Sequence, residues 1–286
     1  MPISIVLAPL LPLIAALPIA TRQDGSQQAS QTDVVAIATD RADRMTVPVK
    51  VSESGPFNFL IDTGSQNTVI STRLAAQLAL QPSAKAKLVS VAGVETVETV
   101  ELDQIDLGTR SYYGLLAPLL EHRNIGADGI LGLDSLQGQR VLIDFRKSLI
   151  AVNDAKSLGG NRGFEIVVTA RRKSGQLIMT NALLDGVRVN VVIDTGAETS
   201  VGNRALQEAM RRRHSPQGQA ELRSVTGHTV IADLGLGREM KVDDITFQNV
   251  LVAYVDSPAF PALGLGDKPA LLLGMRDLRA FDRVAI

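Results

Sequence analysis

The sequence predicts an all-β chain made of two tandem β-barrel lobes related by pseudo-twofold symmetry, with short helices between strands. Three observations lead there. Blocks recur in the same order: Phe59-Leu60-Ile61-Asp62-Thr63-Gly64-Ser65 returns as Val191-Val192-Ile193-Asp194-Thr195-Gly196-Ala197, 132 residues later. Ser90-Val91-Ala92-Gly93 returns as Ser224-Val225-Thr226-Gly227, and Gly129-Ile130-Leu131-Gly132-Leu133 as Leu271-Leu272-Leu273-Gly274-Met275. The stretches leading into these blocks alternate or run apolar over strand lengths, and a polar, Gly-bearing segment separates the two copies.

Residues 1–20 carry no charged side chain, and their apolar run from Ile3 to Leu17 has the character of a signal peptide or an N-terminal membrane anchor. Pro2, Pro9, Pro12 and Pro18 make a stable spanning helix awkward, and Ala16 and Ala20 offer cleavage positions. The expectation is export, to a bacterial periplasm or the medium, because a secreted chain without Cys does not fit a disulfide-stapled secretory route. Residues 21–40, rich in Gln and Ser at their start, read as a flexible linker.

The first lobe is expected over 41–153. Met45-Thr46-Val47-Pro48-Val49-Lys50-Val51 alternates, turns at Ser54-Gly55-Pro56, and runs apolar into Asp62. Ser71 to Leu78 is a helix candidate with Ser71 as N-cap. Residues 154–165 form the connector, and the second lobe spans 166–286, where Leu184-Asp185-Gly186 turns into the strand that ends at Asp194. Asn203 to Met210 repeats the capped helix. The first unit continues past Ile143 into a further strand, Ser148 to Val152, whereas the second stops at Arg283-Val284-Ala285-Ile286; the pairing of the lobes is expected to lose a strand there.

Composition narrows the chemistry. Lys+Arg 29 against Asp+Glu 30 gives a net charge of −1, which leaves no electrostatic footprint for nucleic acid. With Cys 0 and Trp 0, thiol nucleophiles, Cys-type metal sites and Trp stacking platforms are excluded. The three histidines, His122, His214 and His228, have no metal-ligand spacing, so no metal and no cofactor are expected. Carboxylates, hydroxyls and backbone remain.

Asp62 follows a strand that should be buried, where a carboxylate is costly unless something hydrogen-bonds or neutralises it. Gly64 permits a turn and close backbone approach, and Thr63 and Ser65 supply hydroxyls. The same logic surrounds Asp194. If pseudo-twofold packing brings the two turns together, the carboxylates hold one proton between them. One acts as base toward a water while the other donates to a carbonyl. Ser65 after the first motif and Ala197 after the second suggest that a Ser65 hydroxyl donates to Asp62 and favours its ionisation, leaving Asp194 protonated.

The two Asp-Thr-Gly motifs, each trailed by an apolar-apolar-Gly segment after 70 and 80 residues, resemble the signature of the retropepsin-like aspartic peptidases in a bacterial two-lobed single-chain form. A shared-proton carboxylate pair is that family's established chemistry. The resemblance covers most of 45–286 and implies retropepsin-like (acid-protease) barrels with Asp62 and Asp194 as the catalytic pair. It implies that Thr63, Gly64, Ser65, Thr195, Gly196 and Ala197 support the site, and that Leu131, Gly132, Leu273 and Gly274 form the strand and loop behind it. Ala92, Gly93, Thr226 and Gly227 match hairpins that cover substrate. The function implied is an aspartic endopeptidase acting on an extended polypeptide, a monomer with intramolecular lobe pairing. The alternative is a catalytically silent peptide-binding module of the same fold.

Overall fold

Alternation builds the first hairpin. Met45, Val47, Val49 and Val51 point into the core while Pro48 and Lys50 face solvent. The partner strand is exposed at its start and buried at Phe59, Leu60 and Ile61, so the chain plunges inward as it nears Asp62. The computed structural model describes residues 33–36, 38–39, 44–136, 139–154, 166–167, 171–173, 176–211, 217–242 and 245–285.

In chain order the first unit runs β1 (Asp33–Ala36), β2 (Ala38–Thr39), β3 (Met45–Val51), β4 (Ser54–Ile61), β5 (Val69–Ser71), α1 (Thr72–Gln77), β6 (Pro82–Ser90), β7 (Gly93–Leu107), β8 (Arg110–Leu120), α2 (His122–Ile125), β9 (Gly129–Leu131), α3 (Leu133–Leu136), β10 (Gln139–Asp144) and β11 (Leu149–Asp154). The second runs β12 (Ile166–Val167), β13 (Arg171–Lys173), β14 (Gln176–Leu184), β15 (Val187–Ile193), β16 (Ser200–Gly202), α4 (Arg204–Met210), β17 (Gln219–Arg223), β18 (Thr229–Val242), β19 (Ile245–Tyr254), α5 (Ala259–Ala262), β20 (Ala270–Leu273), α6 (Met275–Leu278) and β21 (Arg283–Ala285). The chain is mostly β with short helices, as the sequence predicts.

The duplication is repeated in the strand order. One eight-stranded sheet is β2-β3-β4-β9-β5-β8-β7-β6 and the other is β13-β14-β15-β20-β16-β19-β18-β17. In the first, β3 also pairs with β7, which closes six strands into a barrel; β14 meets β18 at the corresponding junction of the second. The capped helices form where the sequence placed them: Leu74 N–H donates to Ser71 Oγ at 3.1 Å, and Leu206 N–H to Asn203 Oδ1 at 2.9 Å. The main apolar core is continuous through both units, with Val47, Phe59, Ile61 and Leu131 in one cluster with Val191, Ile193, Leu273 and Val284.

A third sheet, β1-β11-β10-β21-β12, joins the units and corrects one expectation. In it β21 lies between β10 and β12, with Ile143 opposite Val284, because the buried Val284 continues the apolar face of that sheet. Within 21–40, read as a linker, Asp33–Ala36 and Ala38–Thr39 are strands; β1 extends the same sheet along β11, with Val35 opposite Ile150. Residues 1–20, the remainder of 21–40, and the connector 154–165 apart from Asp154, the last residue of β11, lie outside the described residues.

Candidate active site

Each aspartate is delivered by a buried strand that lies parallel to a second one. β4 pairs with β9, and Asp62 N–H donates to Leu131 O at 3.1 Å; β15 pairs with β20, and Asp194 N–H donates to Leu273 O at 3.0 Å. The chain then turns tightly on the aspartate itself. Gly64 and Ser65 N–H groups donate to Asp62 Oδ1 at 2.8 and 3.0 Å, and Gly196 and Ala197 N–H groups to Asp194 Oδ1 at 3.0 and 3.1 Å. One oxygen of each carboxyl is thus bound by its own loop.

The two loops meet. Thr63 Oγ1 donates to Ile193 O at 2.8 Å and accepts from Thr195 N–H at 3.3 Å; Thr195 Oγ1 donates to Ile61 O at 2.7 Å and accepts from Thr63 N–H at 3.0 Å. Both threonines are buried. Gly64 lies against the opposite aspartate, so close that a Cβ there would stand 2.7 Å from Asp194 Cγ, and a Cβ on Gly196 would run into the Asp62 carboxyl. These two glycines are required by close approach, whatever their dihedral angles.

The carboxyl groups of Asp62 and Asp194 hydrogen-bond each other, while both residues keep part of their surface open to solvent. Burial raises Asp62, and its backbone donors, the bond to Asp194 and the charge of Arg44 offset part of the rise. Asp194 is pushed up to about 8, first by burial and then by the negative charge of Asp62. Two carboxylates in contact cannot both ionise readily, so the pair holds one proton through the neutral range.

Behind the loops, Gly132 N–H donates to Thr68 Oγ1 at 3.2 Å and Gly274 N–H to Ser200 Oγ at 3.0 Å. α3 and α6 start here and grip the loops: Leu133 N–H donates to Ser65 O and Met275 N–H to Ala197 O, each at 2.9 Å. Sequence reasoning missed the acids that complete this support. Asp134 accepts from Thr68 Oγ1 at 2.7 Å, and Asp277 from Ser200 Oγ at 2.5 Å. The signal was present, since an acid follows each Gly at two or three residues, but the unequal spacing hides the match.

One expected detail is corrected. Ser65 Oγ donates to Asn67 O at 2.8 Å, so its hydrogen is not given to Asp62. A carbonyl two residues onward in the same turn captures it. The backbone donors to the two aspartates are equivalent, and the inequality of the pair has another origin.

Ala92 and Gly93 lie at the turn between β6 and β7, and Thr226 and Gly227 at the turn between β17 and β18. Each hairpin reaches the other lobe. Val91 packs on the second-lobe cluster of Val192, Val201 and Phe260, and Val225 on the first-lobe cluster of Leu60, Val69 and Ile130. His228 Nδ1 stands 2.6 Å from Glu95 Oε1, which joins the hairpins directly. Gly227, at φ +88°, is pressed against Asn124 Nδ2, where a Cβ would come within 2.6 Å. A Cβ on Gly93 would meet nothing within 4 Å, so the glycine has no steric role there.

Among the described residues no group of three or more His, Asp or Glu is placed to hold a metal ion. The arrangement is a carboxyl pair, clamped by backbone on both sides, under two crossing hairpins.

Among solved structures, the crystal structure of a retropepsin-like aspartic protease from Rickettsia conorii matches at 15% identity over 43% of this chain and 92% of that one, with a TM-score of 0.33. No curated protein matches the chain. The sequence profile described as aspartyl protease matches twice, over residues 47–135 and 180–276, once for each barrel. With both matches together spanning more than half of its length, the chain belongs to the aspartyl protease family.

Proposed function

We propose that the chain is an aspartic endopeptidase, with Asp62 and Asp194 as its catalytic pair and one lobe supplying each. The observation that carries the reading is the hydrogen bond between two carboxyls from opposite lobes, one of them raised to about 8. In this reading the ionised Asp62 takes a proton from a water as the water attacks the peptide carbonyl, and the protonated Asp194 donates to the carbonyl oxygen. The tetrahedral intermediate then collapses as a proton passes to the amine nitrogen, and the C–N bond breaks. The loop N–H groups keep both acids oriented, so little reorganisation is needed when charge moves.

The substrate is a polypeptide bound extended beneath the hairpins, held by main-chain hydrogen bonds along strand edges. Both halves of the site come from one chain, which supports activity in the monomer. Export rests on the apolar character of 1–20.

Hydrolysis of a peptide library, with Asp62→Asn and Asp194→Asn as controls, tests the assignment. Turnover abolished by either change and blocked by a statine-type inhibitor supports it. Peptide affinity without turnover in the parent protein sinks it in favour of a binding module. Activity confined to a dimeric fraction on native sizing removes the monomer claim.

A further inference from the structure

The two halves of the site are alike in their loops and unlike in charge. On β3 and β4, Thr46 lies opposite Leu60, so Arg44, just before β3, enters beside the end of β4 that Asp62 follows, and its charge acts on Asp62. In the second half, the charge that acts on Asp194 is the negative one of Asp62. A cation thus bears on one acid and an anion on the other. Arg44 is half-buried, and its Nη2 donates to Ile125 O at 2.6 Å, which ties the guanidinium to the end of α2.

We propose that Arg44 is a positioning residue that makes the carboxyl pair unequal, holding the negative charge on Asp62 and leaving the shared proton on Asp194. This deepens the peptidase reading and rests on it for the roles of base and acid. A fixed cation beside one of two linked carboxylates favours ionisation on that side, and does so strongly where the surroundings are partly desolvated. The backbone donors of the loops do not distinguish the acids. The N–H donors of Gly64 and Ser65 match those of Gly196 and Ala197, and the Ser65 hydroxyl is turned to Asn67.

Other ionisable groups lie on the elements packed round this corner. Glu121, His122 and Arg123 lie at α2; Asp128 is paired with Arg73; Asp134 is held by Thr68; Glu198 follows the second loop. The charge that acts on Asp62 is that of Arg44, while Asp194 acts on it through their hydrogen bond.

The experiment reads the titration of the pair in the full chain. Arg44→Gln removes the cation and is expected to raise the acid limb of kcat/KM by about one pH unit, with Arg44→Lys restoring most of it. Carboxyl carbon NMR of Asp62 and Asp194 reads the same order without turnover, so a silent chain would defeat the peptidase reading and still test this one. An Arg44→Gln protein that folds and titrates like the parent overturns the proposal. So does a folded Arg44→Lys protein that leaves the order unrestored, since the hydrogen bond to Ile125 rather than the charge would then matter. If Arg44→Gln does not fold, Arg44→Met removes the same charge while keeping the apolar stem, and an unchanged titration there overturns it.

Discussion

Thr63 and Thr195 bind each other's backbone crosswise, each hydroxyl donating to the carbonyl that precedes the other lobe's aspartate and accepting the other threonine's N–H. Thr195→Val keeps the volume but leaves Ile61 O and Thr63 N–H without partners in a buried place. A loss of roughly 1–3 kcal/mol for each orphaned group is expected from denaturant unfolding, together with a fall in activity. Thr195→Ser, which keeps the hydroxyl, is expected to lose under about 1 kcal/mol.

The glycines make a sharper contrast. Gly196→Ala puts a methyl group into the Asp62 carboxyl, and Gly64→Ala puts one against Asp194. Either change forces the loops apart, with a destabilisation of about 1–3 kcal/mol and turnover down at least a hundredfold. Gly93→Ala, whose methyl would meet nothing within 4 Å, is expected to leave both quantities close to the parent's. Peptide hydrolysis and thermal melts on the three proteins check this.

The proton on Asp194 gives stability a predictable slope. Its carboxyl, ordinarily near 3.8, is raised to about 8 in the folded chain. Between those values the folded protein retains a proton that the unfolded chain has released, so the unfolded state gains on it as pH rises. The contribution is fully present below about pH 4 and is lost as pH climbs through about 8. Melting temperature should therefore decline across this window, and less so in Asp194→Asn. Activity should fall as pH climbs through about 8, because the pair then lacks its shared proton.

The contact between His228 and Glu95 is a matter of motion more than of stability. Their side chains are 61% and 28% exposed, so the pair contributes within about 1 kcal/mol. His228→Ala is expected to leave the melt nearly unchanged while hydrogen exchange quickens at 91–93 and 224–228. Exchange that stays at the parent rate would show that Val91 and Val225 alone hold the hairpins.

Most of the centre was legible because its logic is local. Asp62-Thr63-Gly64 and Asp194-Thr195-Gly196 each carry acid, lock and close approach within three residues, and the repeat makes chance agreement improbable. The capped helices after Ser71 and Asn203 were legible for the same reason. What escaped depends on which strands lie side by side. Arg44 is 18 residues from Asp62 and becomes its neighbour only through the register of β3 on β4. The hydroxyl of Ser65 was misassigned because composition cannot tell which of two nearby acceptors, Asp62 or Asn67 O, a turn presents. That Arg283–Ala285 joins the two units was not legible, because its partner, β10, belongs to the other unit.

That last strand bears on how such a molecule tolerates being divided. Severed from its twin, the first unit would bare the β10 main chain where Arg283–Ala285 now lies, and an uncovered row of amide and carbonyl groups is adhesive toward any extended chain. Held in one polypeptide, each half keeps a plug for the other's raw margin within constant reach. Covalent continuity therefore guards against promiscuous sticking as well as setting the acids in place.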